Sequence, residues 1–341
     1  MSRRWITSAV LVALACKPGD NTGPGGGPPP PPVAVNLQNP AYFISGVAAF
    51  EAAWGSPALH SATGLSMVVG VAGAAPARAP MCGAGAPGAP ASAFDVFPDT
   101  ALGRIYLYDS ASGHFRAGPS GGPANGVEFV LPVIDTLGHV VFPTQGAGTL
   151  DLFDVTPVGG ILTLHGVISG VASESADYTF AVQGRPDSNA GILSGRVAAS
   201  GRAFAFRDST TGYLSQTTAG AVVTDSGNGG TMKLIATRTQ SDAFDNFYDV
   251  DFTYQSPGQR VRMLGHITTY CLIPTIGLTV TVNDSDFAIV SQGTSGAVIT
   301  SLTDSSLTPK QDSAIRALIR GQGELFSWLA GLALPAKQFL P

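Results

Sequence analysis

Hydrophobic and polar residues alternate most regularly between Ile161 and Arg207. Within residues 177–183, the side chains of Tyr178, Phe180 and Val182 fall on one face of an extended chain, and polar residues fall on the other. A period of two residues is typical of a strand with one buried face. The same alternation occurs on both sides of this run, at residues 162–169 and 203–206. The pattern predicts an antiparallel meander.

The alternation continues from about residue 102 to about residue 300, and a recurrent turn sequence punctuates it. Aspartate at the start of a turn accepts backbone N–H bonds, and glycine supplies the left-handed residue that closes it. These turns therefore predict hairpins, and they contain too few alternating carboxylates for calcium loops. The Asp-Ser-x-x-Gly sequence occurs four times, with one shortened form: Asp109–Gly113, Asp187–Gly191, Asp208–Gly212, Asp225–Gly229 and Asp135–Gly138.

Two segments have a helical period. In residues 40–54, apolar side chains recur every three or four positions and form a stripe that is expected to face the core: Phe43, Val47, Phe50 and Trp54. Gly55-Ser56-Pro57 is expected to end the helix. Near the C-terminus, Thr308-Pro309-Lys310-Gln311 has the form of a capping box and precedes an apolar stripe that extends to about residue 333. Glycines at positions 321 and 323 weaken that stripe.

These elements predict the fold class. We expect a mainly β (α+β) protein, with one or more large antiparallel meander sheets and an N-terminal and a C-terminal helix packed on the sheet. A single β-rich domain is expected over residues 33–341. A spacing of 72 residues relates Asp177, Phe180 and Gln183 to equivalent residues near position 252, which is either a faint internal repeat or the similarity of one meander to another.

Composition narrows the possible functions. Charged residues make up 12% of the chain, about half of the ~25% that is typical of soluble domains, and the formal net charge is -5. Nucleic acid is therefore not an expected partner, because no basic cluster is present to neutralise phosphates.

The N-terminus carries the most specific signal. Arg3 and Arg4 precede a short apolar run, and Ala13-Leu14-Ala15 leads into Cys16. Eleven apolar residues are too few to span a bilayer, which takes ~20. The segment resembles a bacterial lipoprotein signal, apart from Ala13, where leucine is more common.

This resemblance implies a signal peptide over residues 1–15 and a lipid-modified Cys16 that becomes the first residue of the mature protein. It also implies a partner, the membrane, which the N-terminal lipid anchor contacts. Lys17 after the cysteine favours the outer membrane, facing the periplasm or the cell surface. Residues 16–32 are rich in glycine and proline, which predicts a disordered tether between the anchor and the domain.

A search for catalytic chemistry finds no motif. The five histidines occur singly, with no metal-ligand spacing, and neither a nucleophile elbow nor a phosphate-binding glycine loop is present. The best acidic cluster is Asp242, Asp245, Asp249 and Asp251. Asp249 and Asp251 are weak candidates for a cation or glycoside site, and a solvated outer face is the favoured interpretation. No cofactor is expected.

The three cysteines suggest one disulfide. If Cys16 is lipidated, Cys82 and Cys271 remain as a pair in an oxidising compartment. We therefore predict a Cys82–Cys271 bridge.

The predicted function is a non-enzymatic binding or structural role in a lipid-anchored protein of the cell envelope. One alternative is a carrier of an apolar ligand, a lipid or lipoprotein, held in a curved sheet. A less favoured alternative is a hydrolase of envelope glycan that uses the aspartate cluster. A cavity of several hundred Å³ lined by aromatic and aliphatic residues would favour the carrier. A filled core would favour the structural role, with another envelope protein as a possible partner.

Overall fold

The structure is a computed structural model. It describes these residues: 36–64, 97–135, 138–157, 160–171, 173–185, 188–213, 216–240, 245–270, 273–293, 296–303 and 305–337.

Two helices precede the strands and one follows them. The helices are α1 (Pro40–Trp54), α2 (Pro57–Gly64) and α3 (Pro309–Lys337). The strands are β1 (Arg104–Asp109), β2 (His114–Ser120), β3 (Gly126–Pro132), β4 (Gly146–Asp154), β5 (Leu162–Gly170), β6 (Ser175–Arg185), β7 (Ser188–Ala199), β8 (Arg202–Tyr213), β9 (Gln216–Asp225), β10 (Thr231–Gln240), β11 (Asp245–Ser256), β12 (Gln259–Tyr270), β13 (Ile273–Val282), β14 (Ser285–Gly293) and β15 (Gly296–Ser301).

The strands form one sheet whose order follows the chain from β3 to β15. Each strand in this series pairs antiparallel with the next one, which confirms the predicted mainly β fold with a meander. One exception occurs at the edge, where β1 lies between β3 and β2 and pairs parallel with β3.

The predicted turns divide into correct and wrong ones. At Asp109–Gly113 and Asp225–Gly229, the glycine has a positive φ and its N–H donates to the aspartate carbonyl, as the prediction requires. The shortened turn at Asp135–Gly138 is also confirmed, because Gly138 donates to the Asp135 carbonyl at 3.0 Å.

The turn predictions at Asp187–Gly191 and Asp208–Gly212 are wrong. Residues 188–191 belong to β7, and all of 208–212 belongs to β8. Gly191 and Gly212 are paired in the sheet instead of closing turns. In the second segment, the threonines at 210 and 211 favour a strand, and neighbouring strands on both sides supply the hydrogen bonds that a turn would have made.

One face of the sheet, here called the inner face, is covered by the helices. The predicted stripe of α1 is confirmed, because Phe43, Val47, Phe50 and Trp54 are all buried. Inner-face side chains of the strands pack against this stripe, and Phe204 of β8 meets the rings of Phe50 and Trp54 edge-on.

The helix α3 packs against α1 and α2. Its Trp328 stacks on Trp54 of α1, with the ring centroids 6.1 Å apart. Gly321 is buried where a methyl group would lie 3.0 Å from the Val47 side chain, so this glycine permits the close approach of the two helices. Among the described helices, none is both long and apolar enough to cross a lipid bilayer.

The helix α2 was not predicted. Pro57 was expected to follow the end of α1, but it occupies the first position of α2, where its missing N–H costs nothing. Ala58, Leu59 and Ala62 of this short helix are buried against the first strands of the meander.

The two ends of the sheet differ in what they carry. We call one the Asn36 end; the turns at Ser200–Gly201 and Pro257–Gly258 both lie at this end, and Asn36 lies beside the second of them. Gln259 donates to the Asn36 carbonyl at 3.0 Å, and Gln311 of α3 donates to the Asn36 side-chain oxygen at 2.6 Å. The start of the described chain is therefore fixed at this end.

Candidate binding groove on the outer face

A groove of about 570 Å³ crosses the outer face of the sheet over β10 to β13. We call it the outer groove. Residues that define it are Thr237, Asp249, Asp251, Leu264, His266 and Gly277.

Strand register places these residues together. Thr237, Asp249, His266 and Gly277 form one row across four adjacent strands, because each is paired with the next. Side chains two positions apart on a strand share a face. Asp251 therefore points to the same side as Asp249, which confirms the predicted placement of both aspartates on the polar face of one strand.

Gly277 shapes the groove. A Cβ at this position would have no atom within 4 Å, so the missing side chain leaves open space between the residues on either side. The pair formed by Thr218 and Thr237 closes one flank, with their hydroxyl oxygens 3.2 Å apart.

Both carboxylates of the groove already have cationic or polar partners. Asp251 accepts two hydrogen bonds from Arg262, each of 2.8 Å, in the two-pronged geometry that suits a guanidinium. This hydrogen bonding raises the pKa of Arg262. Asp249 lies 2.5 Å from Nδ1 of His266, and both side chains are exposed.

These pairs determine what the groove can do chemically. A divalent cation would have to displace Arg262 or His266 to gain carboxylate ligands. Within the described ranges, no group of three or more histidine, cysteine, aspartate or glutamate side chains is placed to hold a metal. The groove instead offers exposed hydrogen-bonding groups beside Leu264, a combination suited to a polar ligand with some apolar surface. Of the other two aspartates in the predicted cluster, Asp245 is the first residue of β11, and Asp242 lies outside the described residues.

A second groove, of about 610 Å³, lies between β15 and the start of α3. It contains many hydroxyl groups, and Ser301 donates to the Ser305 carbonyl at 2.8 Å. Arg316 of α3 donates to the Ala297 carbonyl at 3.0 Å, so the helix satisfies part of this sheet edge. Sequence reasoning missed this groove, although the serine and threonine run between 300 and 308 was a visible signal.

Two of the five histidines have clear partners elsewhere in the fold. His60 of α2 lies 3.0 Å from the Asp135 carbonyl, which fixes the helix to the loop after β3. His165 lies 2.8 Å from the Asp177 carboxylate on the neighbouring strand. Pairs of this kind were not predicted, because a partner on another strand is known only once the register is known.

The cysteines Cys16, Cys82 and Cys271 lie outside the described residues, so the lipidation and the disulfide stay predictions.

Comparison with known proteins finds no relative: no family model, curated protein or solved structure matches the chain. The described residues define a mainly β protein with three helices on the inner face of one sheet and an open groove on the outer face.

Proposed function

We propose that the chain is a lipid-anchored protein of the bacterial cell envelope, with a binding or structural role and no catalytic one. The anchor is proposed from the lipobox-like sequence that ends at Cys16. Lys17 after the cysteine supports an address at the outer membrane.

The observation that favours a binding or structural role over the carrier alternative is the filled space between the sheet and the helices. Phe50 and Trp54 pack there against each other and against Phe204 and Trp328, with ring centroids 4.5–6.1 Å apart. A sheet whose inner face is occupied in this way presents its outer face and its loops to a partner. The outer groove is the best-defined feature of that face.

A carrier would enclose a lipid between a curved sheet and the helices. The filled inner face of this sheet therefore supports a structural role more than the carrier alternative. The hydrolase alternative draws little support from the outer groove. Its two carboxylates are on an exposed surface and are paired with Arg262 and His266, whereas glycoside hydrolysis needs one protonated and one ionised carboxyl on either side of a bound sugar.

The proposed anchor is tested by metabolic labelling with a fatty acid in a bacterial host. We expect the wild-type protein to be labelled and Cys16→Ala to be unlabelled and released from the membrane fraction. The matched control is Cys82→Ala, which should remain labelled. A Cys16→Ala protein that stayed labelled and membrane-bound would refute the anchor.

The carrier alternative has its own test. The protein is purified from membranes in mild detergent and extracted with organic solvent, and the extract is analysed by mass spectrometry. Under the proposed function we expect no lipid at one equivalent per chain beyond the covalent anchor. A stoichiometric, non-covalent lipid would favour the carrier.

A further inference from the structure

The two edges of the sheet are protected to different degrees. The strand β2 forms one edge, and it contains Pro119, which has no N–H to offer, and Arg116, whose side chain is 67% exposed. Its pairing with β1 is also irregular, with a shift of register between Arg104 and Tyr106. Proline, charge and bulges are the usual devices that stop an edge strand from pairing with another chain. The β2 edge is therefore protected.

The strand β15 forms the other edge and has none of these devices. Its six residues contain no charge and no proline, and they pair with β14 without a shift of register. Val298, Ile299 and Thr300 are β-branched, a type of residue that is enriched in strands. Val298 is on the outer face and is 49% exposed. The composition of β15 therefore favours a further strand beside it.

The register with β14 shows which backbone groups of β15 point away from the sheet. In an antiparallel pair, every second residue bonds to the partner strand, and the residues between point their N–H and C=O groups the other way. Leu302 donates to the Phe287 carbonyl at 3.0 Å, so the even-numbered residues bond to β14. The odd-numbered ones point outwards, and the Ala297 carbonyl accordingly accepts from Arg316 at 3.0 Å. Among the described residues, the outward N–H and C=O of Ile299 have no partner.

The second groove, of about 610 Å³, runs along these backbone groups. Ile299 and Ser301 line it on the side of the sheet, and Thr303, Leu307 and Pro309 line it on the side of α3. One wall is thus the free edge of a strand, and the other wall is the segment that leads into the helix. Unpaired N–H and C=O groups beside an open groove are the arrangement to which an extended peptide adds as a strand.

The walls of the groove indicate what kind of strand fits. A second copy of this chain would bring its own segment between β15 and α3 into the same space, whereas a peptide has no such wall. Among the described residues that line the groove, Asp312 alone is charged, and it accepts a 2.7 Å hydrogen bond from Arg316. The groove therefore suits a single uncharged strand.

We propose that β15 binds an extended, uncharged peptide segment of a partner protein as a further antiparallel strand of the sheet. The peptide residue opposite Ile299 exchanges both backbone hydrogen bonds with it. The next residue faces Val298 across a close pair, where a β-branched side chain covers the exposed valine. This surface is separate from the outer groove and does not depend on the lipid anchor, so a failure of Cys16 acylation leaves the proposal untouched.

The first test measures binding of a synthetic peptide to the complete protein in mild detergent. The probe is Thr-Val-Thr-Val-Thr with an amidated C-terminus and a fluorophore on its N-terminus, and binding is followed by fluorescence anisotropy. The control peptide has the same side chains, but its backbone nitrogens are methylated and cannot donate. We expect methylation to weaken binding roughly tenfold or more. Equal binding of the two peptides, or no binding of the probe at millimolar concentration, would overturn the proposal.

The second test changes the strand itself. Ile299→Pro and Ile299→Ala both remove the isoleucine side chain, but only proline also removes the outward N–H. Proline is tolerated on an edge strand where its nitrogen faces away from the sheet. We expect Ile299→Pro to bind the probe roughly tenfold more weakly than Ile299→Ala. Thermal unfolding verifies that both variants keep the fold, and equal affinities of two folded variants would contradict the proposal.

Hydrogen exchange of the wild-type protein locates the bound peptide without any substitution. We expect saturating probe to slow exchange in β15 and to leave exchange in β2, the protected edge, unchanged. Slowing in β2 instead of β15 would refute the assignment. A dimer of the peptide-free protein in sedimentation that Ile299→Pro abolishes would identify a second copy as the occupant and would likewise overturn the proposal.

Discussion

Gly46 of α1 lies against the ring of Tyr254 on β11. A Cβ at this position would come within 1.9 Å of the Tyr254 hydroxyl oxygen, and the tyrosine is 2% exposed. Gly46→Ala therefore has to displace a ring that is packed on all sides. We expect it to lower the free energy of unfolding by about 2 kcal/mol, measured by denaturant titration.

The control for this prediction is Gly323→Ala in α3. Gly323 is exposed, and a Cβ there would meet no atom within 4 Å. Alanine should then stabilise the helix by about 0.5–1 kcal/mol through its better helix propensity. If Gly46→Ala were as well tolerated as Gly323→Ala, this result would contradict the close approach of α1 to Tyr254.

Tyr178 of β6 makes the interior sensitive to alkaline pH. Its ring lies over Gly166 of the neighbouring strand, and its hydroxyl is buried with no hydrogen-bond partner among the described residues. Burial raises the pKa of Tyr178 well above its usual value of 10.0. Above pH 10, the unfolded chain loses this proton more readily than the folded one. Unfolding is therefore increasingly favoured as the pH rises.

We expect Tyr178→Phe to reduce this alkaline loss of stability. Above pH 10, the raised pKa of the tyrosine lowers the free energy of unfolding by about 1.4 kcal/mol per pH unit. Phenylalanine has no proton to lose and does not have this effect. Near pH 7, removal of an unpaired hydroxyl should leave stability unchanged or slightly higher. The measurement is the free energy of unfolding between pH 8 and 11. Parallel curves for the two proteins would contradict the prediction.

At the residue scale, the sequence predicted positions better than partners. Val47 and Trp54 were assigned to the core from helical spacing alone, since spacing determines the face of a helix. The same logic put Asp249 and Asp251 on one face of a strand. It could not predict that Asp249 is paired with His266 and Asp251 with Arg262, because these partners depend on the register between strands.

Among the elements, α3 has the most complete start signal. Thr308 N–H donates to the Gln311 side chain at 2.8 Å, and Gln311 N–H donates to the Thr308 hydroxyl at 3.3 Å, so the predicted capping box is confirmed. We expect Thr308→Ala to lower the free energy of unfolding by about 1 kcal/mol. Ser313→Ala, one turn later on the exposed side, should change it by less than about 0.5 kcal/mol. Equal effects would mean that the cap contributes nothing.

Two elements were missed for local reasons. The strand β7 contains Gly191 and Gly195, and its first residues have the composition of a turn. At position 195 glycine is required, since a Cβ would lie 2.3 Å from the Asp177 carbonyl oxygen and 2.6 Å from the Cβ of Tyr178. The helix α2 has only eight residues, too few for the helical period to be recognised beside Gly55 and Pro57.

At the scale of the whole molecule, the predicted Cys82–Cys271 bridge would join distant parts of the chain. Cys271 directly follows β12, and Cys82 belongs to the segment between α2 and β1. Closing so long a loop stabilises the folded chain by up to about 5 kcal/mol in the chain-entropy description. We expect a non-reduced digest of protein from the cell envelope to contain the two peptides joined. Two alkylatable thiols in that protein would refute the bridge.

The overall architecture was the most predictable level. Alternation over residues 102–300 and two helical stripes predicted a meander flanked by helices, because from β3 to β15 strands that are neighbours in the sheet are also neighbours in sequence. The parallel pairing of β1 with β3 was not predictable, since nothing in the period of a strand indicates which edge it joins.

The order of the strands also has a consequence for how the molecule is made. Hairpins between consecutive strands need only short loops to close, so most of the sheet can form as the chain emerges. The helix α1 precedes the strands, but its stripe remains incompletely covered until α3, which follows β15, places Gly321 against Val47 and Trp328 against Trp54. Synthesis that stops before residue 309 would leave this interior open to water and to other chains. The interior is thus completed only by α3, which is made after β15.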